Sequence, residues 1–370
     1  MSNDTDIEVY RKLQQHLENM PIGFPATKSG VEIQLLKCLF TPLEAKIATY
    51  LKFGWLNDLE PIETIYNRAK HLGISIKELE TELDNMAKKG AITCNEVNGK
   101  KLYANAELMI GIFEYQVNKL TKEFIDVYHQ YVDEAWLKRS IKVKAAQLRT
   151  VPVEKSVETK NNIADYDDIK KMLNESTGPF LVANCVCRQL KDIENDPCKV
   201  TDRRELCLLF GTPAKVYMTH GWGRTISKQE AMEILAKNQD EGLVLQKDNS
   251  QGLDFICSCC TCCCEGLSRL KLFTNPANLV LTNFYAYIDP ELCTGCGTCF
   301  NICQLEAIIQ ENSNYKINRM RCIGCGNCAS KCPSDAIILQ EKERQRVPPE
   351  TFGDVFDNIK ERKLNLKKRK

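Results

Sequence analysis

The first third of the chain sets apolar stripes of helical period between capping and turn residues. Thr41-Pro-Leu-Glu44 has the form of a capping box with proline at the first helical position, and predicts a helix to about Phe53. Pro61 opens a second predicted helix that stops at Gly73, and Ser75-Ile-Lys-Glu78 opens a third that stops at Gly90. AITCNEV and KKLYANA then flank Asn98-Gly99, a dipeptide that favours a two-residue hairpin because both positions accept positive φ. Leu108, Phe113, Val117, Leu120, Phe124, Val127, Tyr131 and Ala135 recur at steps of three to five, which predicts one long amphipathic helix over 107–139. RTVPVEKSVETKNN (149–162) lacks that period and reads as an extended segment and linker, followed by a helix around Asp165–Leu173. PFLVANCVCRQL (179–190) reads as a short buried strand, and Ser227-Lys-Gln-Glu230 as the cap of a helix through Leu235. The glycines of THGWGR, around His220, read as a turn; the lysine of a phosphate loop is missing, and His220 has no partner motif and reads as structural.

Composition changes the picture at one point, cysteine. With 370 residues, 43% apolar and 27% charged, the chain has the make-up of a soluble protein of two or three domains. A net charge of +1 exerts no global pull on nucleic acid or membrane. No window approaches the roughly 18 apolar residues of a membrane span, and MSNDTDIEVYRKLQ has no apolar core of a signal peptide. A cytoplasmic location is therefore expected, where thiols stay reduced. Twenty cysteines there point to metal, and four histidines are too few for mixed zinc sites, so sulfur should hold it. Cys38 and Cys94 lack ligand spacing and read as ordinary buried or half-buried thiols. The other eighteen lie between Cys185 and Cys332.

CTGCGTCFNIC (293–303) and CIGCGNCASKC (322–332) are two copies of C-x2-C-x2-C-x3-C, 29 residues apart, with Pro333 after the second and LEAIIQ and SDAIILQ downstream. Thiols at three-residue steps let one tight loop reach three irons, and Gly295, Gly297, Gly324 and Gly326 let the backbone turn its N–H groups toward cluster sulfides. Over about 283–342 this duplication resembles the bacterial two-cluster [4Fe-4S] ferredoxin module. The resemblance implies one cluster on Cys293, Cys296, Cys299 and Cys332 and another on Cys322, Cys325, Cys328 and Cys303. Gln304 departs from the family, which often has proline there. Paired zinc knuckles are the competing reading.

The remaining ten thiols are Cys185, Cys187, Cys198, Cys207, Cys257, Cys259, Cys260, Cys262, Cys263 and Cys264, the last six within CSCCTCCC. They exceed one cubane and suffice for one or two further iron–sulfur clusters; a thiolate-held zinc or copper store is the other functional reading. On a strand, C-x-C would put Cys185 and Cys187 on one face. Arg188 either offsets thiolate charge or lies at the surface. The order CxCR…C…C…CxCCxCCC before a dicluster module resembles iron–sulfur proteins of anaerobic microbes over about 150–275. No CCG signature of heterodisulfide reductases occurs.

Three helices and a hairpin over about 30–105 resemble a winged helix-turn-helix. Its third helix carries Lys77, Lys88 and Lys89 against Glu78, Glu80, Glu82 and Asp84, and the wing has only Lys100 and Lys101, which favours protein docking over DNA. KERKLNLKKRK (360–370), with seven basic residues and one acidic, reads as a solvated tail.

The expected architecture is thus α+β and multidomain. It comprises a winged-helix-like domain (1–106), a long bridging helix (107–148), a cysteine-rich α/β module (149–280), a ferredoxin-like domain (281–345) and a basic tail (346–370). The expected function is single-electron transfer to or from a partner oxidoreductase. The alternative is a redox-sensing, DNA-binding regulator. No base, nucleophile or substrate pocket can be named, so no further catalytic reaction is read from the sequence.

Overall fold

The computed structural model describes residues 2–56, 58–157, 163–312 and 314–368. The chain divides into two compact units, one of Met1–Ala145, Lys215–Trp222 and Gly353–Lys370, the other of Ala146–Ala214 and Gly223–Phe352.

In the first unit the capping boxes act as their sequence requires. Thr41 and Ser75 each accept the N–H three residues on and are answered by Glu44 and Glu78, opening helices Pro42–Ala48 and Ile76–Lys89. Gly90, at φ 76°, ends the latter in the left-handed region that a Cβ disfavours. Helix Ile62–Ala69 packs on Ile76–Lys89, and strands Ile92–Val97 and Lys100–Asn105 pair in register across Asn98-Gly99. Glu60–Pro61 joins the far side of Lys100–Asn105 as a third strand. Helices Ser2–Leu17 and Val31–Leu39 complete the helical layer. Cys94 is buried but Cys38 is exposed, because it faces outward on Val31–Leu39. His220 stacks on Trp222 at 4.5 Å, and Trp222 stacks on Tyr115 at 5.1 Å.

Two expectations fail here. The long helix over 107–139 begins only at Lys122, where Thr121 caps the N–H of Phe124; it runs to Lys142 with one π turn at Val132–Trp136. Before it, positive φ at Ile110 and Asn118 breaks the helical path, so Leu108, Phe113 and Val117 are buried from turns. The basic tail is also no free tail: Phe352–Lys368 is a helix. Its Phe356 packs edge-on against Phe53, and its Lys363 ammonium is buried against the carbonyls of Glu18 and Met20. A stripe at Val355, Phe356, Ile359 and Lys363 outweighed the charge run. The end of the expected linker (158–162) and the last two tail residues lie outside the described residues.

Beside Lys363 sits Glu107, fully buried, accepting the Ile22 N–H at 2.8 Å. Burial pushes its pKa up to about 7, against the opposing pull of the Ile22 hydrogen bond and the Lys363 charge. A carboxyl raised in the fold contributes stability that is complete at low pH and lost as pH climbs through about 7. Lys363, pulled down to about 8 by burial, titrates in the separate window above that. Glu107→Gln is therefore expected to flatten the fall in melting temperature between about pH 5 and pH 7. A variant whose slope matches the wild type in paired thermal melts excludes this account.

The second unit is built on a six-stranded antiparallel sheet in the order Leu148–Thr150, Val244–Asp248, Phe255–Cys259, Glu205–Phe210, Phe180–Asn184, Arg224–Ile226. Ser227 caps helix Lys228–Asp240, longer than expected, which packs on Phe180–Asn184 and Glu205–Phe210. Val182, Leu208, Phe210, Ile226, Leu235, Leu245 and Ile256 form the apolar core of this layer. The two cysteine repeats follow. Phe284–Ile288 pairs with Ile337–Glu341, Ile308–Glu311 pairs with Asn314–Ile317, and short helices Thr298–Ile302 and Asn327–Ser330 follow the two cysteine loops.

Candidate metal centres

Strand Phe255–Cys259 lies between Val244–Asp248 and Glu205–Phe210, so its alternation sets Cys257 and Cys259 on one face, with Cys207 on the neighbouring strand. The chain then tightens into a turn in which the N–H groups of Cys263 and Cys264 bond the Cys260 carbonyl at 3.3 and 2.9 Å. Cys264 caps helix Glu265–Lys271 and accepts the Leu267 N–H at 3.4 Å. Cys185 and Cys187 do not share a strand. Strand Phe180–Asn184 ends first; Cys185 is the N-cap of helix Val186–Ile193 and Cys187 lies in its first turn. The strand stops where pairing becomes irregular at Ala183/Asn184 and the Cys185 N–H turns to the Arg204 carbonyl. The one-face argument holds for Cys257 and Cys259 instead.

These elements sort the ten central thiols into two groups. Cys198, Cys260, Cys262 and Cys263 bring all four sulfurs within 4.8 Å of one another. The other six form a string: Cys185 interacts with Cys187, Cys187 with Cys264, Cys264 with Cys259, Cys259 with Cys257, and Cys257 with Cys207. Hydrogen bonds from Cys187 and Cys259 hold the Cys264 thiol well below its ordinary range. The Cys187 hydrogen bond and the Arg188 charge pull Cys185 down to about 6. Cys260 is likewise pulled down to about 6, by Cys263 and then Arg188. Each group thus has at least one thiol held below its ordinary range, the direction that metal ligation requires.

Arg188 is 1% exposed, which excludes the surface reading. It donates to the Ser258 carbonyl at 3.0 Å and to the Cys260 sulfur at 3.2 Å, and its charge acts on Cys185 as well as Cys260. One guanidinium therefore serves both groups.

In the repeat region a cavity is lined by Cys303, Cys322, Cys325 and Cys328 together with Gly324, Gly326 and Asn327. Its thiols are the set that the ferredoxin resemblance combines from both repeats. The Ala286 and Ala307 N–H groups point at the Cys322 and Cys303 sulfurs, at 3.3 and 3.2 Å. Gly324 and Gly326 have φ of 66° and 80°, and a Cβ on Gly324 would collide with the Phe284 carbonyl. Soft thiol donors, N–H groups aimed at sulfur and an apolar lining suit a [4Fe-4S] cubane. Cys293 and Cys296 act electrostatically on Cys299, and Cys332 packs into the same apolar cluster as Cys293 and Cys299. Cys296 is exposed, whereas Cys325 is half-buried.

Residues 285–343 match the family model of the 4Fe-4S dicluster domain. Among curated proteins and among solved structures, nothing matches the chain. The dicluster domain and the many further cysteines together support multiple iron–sulfur clusters, and a ferredoxin-type domain implies a redox partner. Among the described residues, no helix is long and apolar enough to cross a membrane.

Sequence reasoning missed how the dicluster domain is fastened to the central thiols. Gln304, noticed only as a departure from proline, accepts from both the N–H and the hydroxyl of Thr261, inside CSCCTCCC, at 3.0 Å. Asn327 donates to the Gly242 carbonyl at 2.7 Å, and Arg321 donates to the carbonyls of Leu305, Phe273 and Lys271. Cys325 shares one apolar cluster with Cys257, Cys259 and Cys264. The glutamine was the one available signal, since a proline there could not accept these bonds.

Proposed function

We propose that the chain is an electron-transfer protein or subunit, relaying single electrons between a partner oxidoreductase and a centre held by the central thiols. Cys293, Cys296, Cys299 and Cys332 would hold one dicluster-domain cluster, Cys322, Cys325, Cys328 and Cys303 the other, and the central cysteines at least one more. When bound, such clusters accept and release one electron each. The observation that carries the reading is the apolar cluster that Cys325 shares with Cys257, Cys259 and Cys264, which brings dicluster and central thiols into one packed layer. The exposure of Cys296 marks the end at which a partner exchanges electrons. Gln304, Asn327 and Arg321 keep the dicluster domain in fixed register with the central thiols.

The winged-helix-like part of the first unit belongs to this reading as a docking body. Asp84, on the helix that would enter DNA, is bound to Lys101 of the hairpin at 2.6 Å and to the Tyr103 hydroxyl at 2.8 Å, which removes a phosphate-binding charge. A cytoplasmic, oxygen-poor setting goes with so many thiols.

The test is anaerobic purification with iron and sulfide counts and electron paramagnetic resonance of the reduced protein. The expected result is about eight irons from the dicluster domain plus about four or more from the centre, with interacting one-electron signals. Colourless protein, or protein containing zinc alone, overturns the reading.

A further inference from the structure

We propose that Cys198, Cys260, Cys262 and Cys263 form a closed tetrahedral site for one divalent ion, zinc or a single iron, separate from any iron–sulfur cluster. Four bonds of about 2.3 Å to the corners of a tetrahedron set the sulfurs about 3.8 Å apart. The sulfurs stand 3.4 Å apart for Cys260 and Cys262, 3.6 Å for Cys198 and Cys260, 3.7 Å for Cys262 and Cys263, and 3.9 Å for Cys198 and Cys262. A cubane takes one thiolate per iron on its outer corners, which spreads them to roughly 6 Å. All four sulfurs here lie within 4.8 Å of one another, too close for that.

The dicluster domain supplies an internal contrast. Among the described residues its eight cysteines form no group drawn this close, as ligands of polynuclear clusters should not. The six-thiol string also lacks mutual closeness, so any central cluster belongs there. The site is built as well as spaced. Cys260 and Cys263 are buried, Leu206, Leu243 and Val200 pack round the group, and the turn closed on the Cys260 carbonyl holds three of the four ligands within four residues. Cys198 arrives from a distant loop and completes the set. Four thiolates around a divalent ion leave a net charge of −2, and the Arg188 guanidinium on Cys260 offsets part of it. Four protein ligands leave no open position, the mark of a structural or simple redox site, not of a catalytic one.

The site would lock the CSCCTCCC turn, and so fix the direction in which Cys257, Cys259 and Cys264 present their sulfurs. This goes beyond the electron-transfer reading and does not depend on it, because the ion can be present whether or not electrons pass.

The experiment is metal and sulfide analysis of the full chain and of Cys262→Ser, both purified without oxygen, with zinc-edge X-ray absorption on the wild type. The expected result is loss of one metal ion per chain in the variant, with acid-labile sulfide unchanged. If that ion is zinc, the wild type shows a shell of four sulfurs and no neighbouring metal; if it is iron, the variant loses a high-spin ferric signal from the oxidised protein. Loss of about four irons with their sulfide assigns a cubane to this group and overturns the proposal, as does an unchanged metal content. Should the variant fail to fold, a wild type holding neither zinc in a four-sulfur shell nor a sulfide-free high-spin iron overturns it equally. Failure of the electron-transfer reading is distinguishable, since it appears as missing iron and sulfide elsewhere in the chain.

Discussion

Cys303→Ala is expected to damage the cluster of the other repeat, the one facing Cys322, Cys325 and Cys328. Cys303 belongs in sequence to the first repeat, yet its sulfur lines the cavity of the second. The chain brings it there because Cys303 ends helix Thr298–Ile302, and the loop after it docks through Gln304 on Thr261. The variant should lose between about one and four irons, as the cubane opens or leaves. Its reduced paramagnetic spectrum should match that of Cys322→Ala. A spectrum matching Cys293→Ala instead would show that each repeat holds its own cluster, and would sink the crossed assignment.

Arg188→Leu should have the other large effect. The side chain keeps the packing volume of the stem but removes the charge beside Cys260 and Cys185 and strands the Ser258 carbonyl. Breaking a buried, charge-assisted contact of this kind costs about 3–5 kcal/mol, and here the thiolates left behind repel one another as well. The expected outcome is loss of central metal with the dicluster domain still loaded, seen as a drop in metal content and a lowered melting temperature. Arg188→Lys should recover part of the metal, since a point charge remains without the two-point fork. Arg188→Leu that keeps its full metal complement and melting temperature would falsify the role given to the guanidinium.

Both predictions rest on contacts with very different legibility in the sequence. The paired C-x2-C-x2-C-x3-C loops are local, and their glycines at positive φ are dictated by the turn itself, so the dicluster domain could be read residue by residue. The capping boxes at Thr41 and Ser75 and the Asn98-Gly99 hairpin are equally local, and the structure follows them. The apolar period over 107–139 misled because burial, not helicity, is what such a pattern reports. Leu108 and Phe113 are buried from turns that left-handed Ile110 and Asn118 impose. The tail misled in the opposite sense, since seven basic residues hid an apolar stripe that folds back onto the first unit.

The cysteines divide along the same line. That the chain would gather soft ligands followed from residue type, and that a dicluster domain lies over the two repeats followed from their spacing and their resemblance to ferredoxins. Which of CSCCTCCC's six thiols look which way did not. Strand pairing with Glu205–Phe210 aims Cys257 at Cys207, the helix start aims Cys264 at Cys187, and the turn between them aims Cys260, Cys262 and Cys263 at Cys198. Those partners lie some 50 to 80 residues away along the chain. Residues that far apart meet only once the sheet has formed, and no local spacing records the meeting.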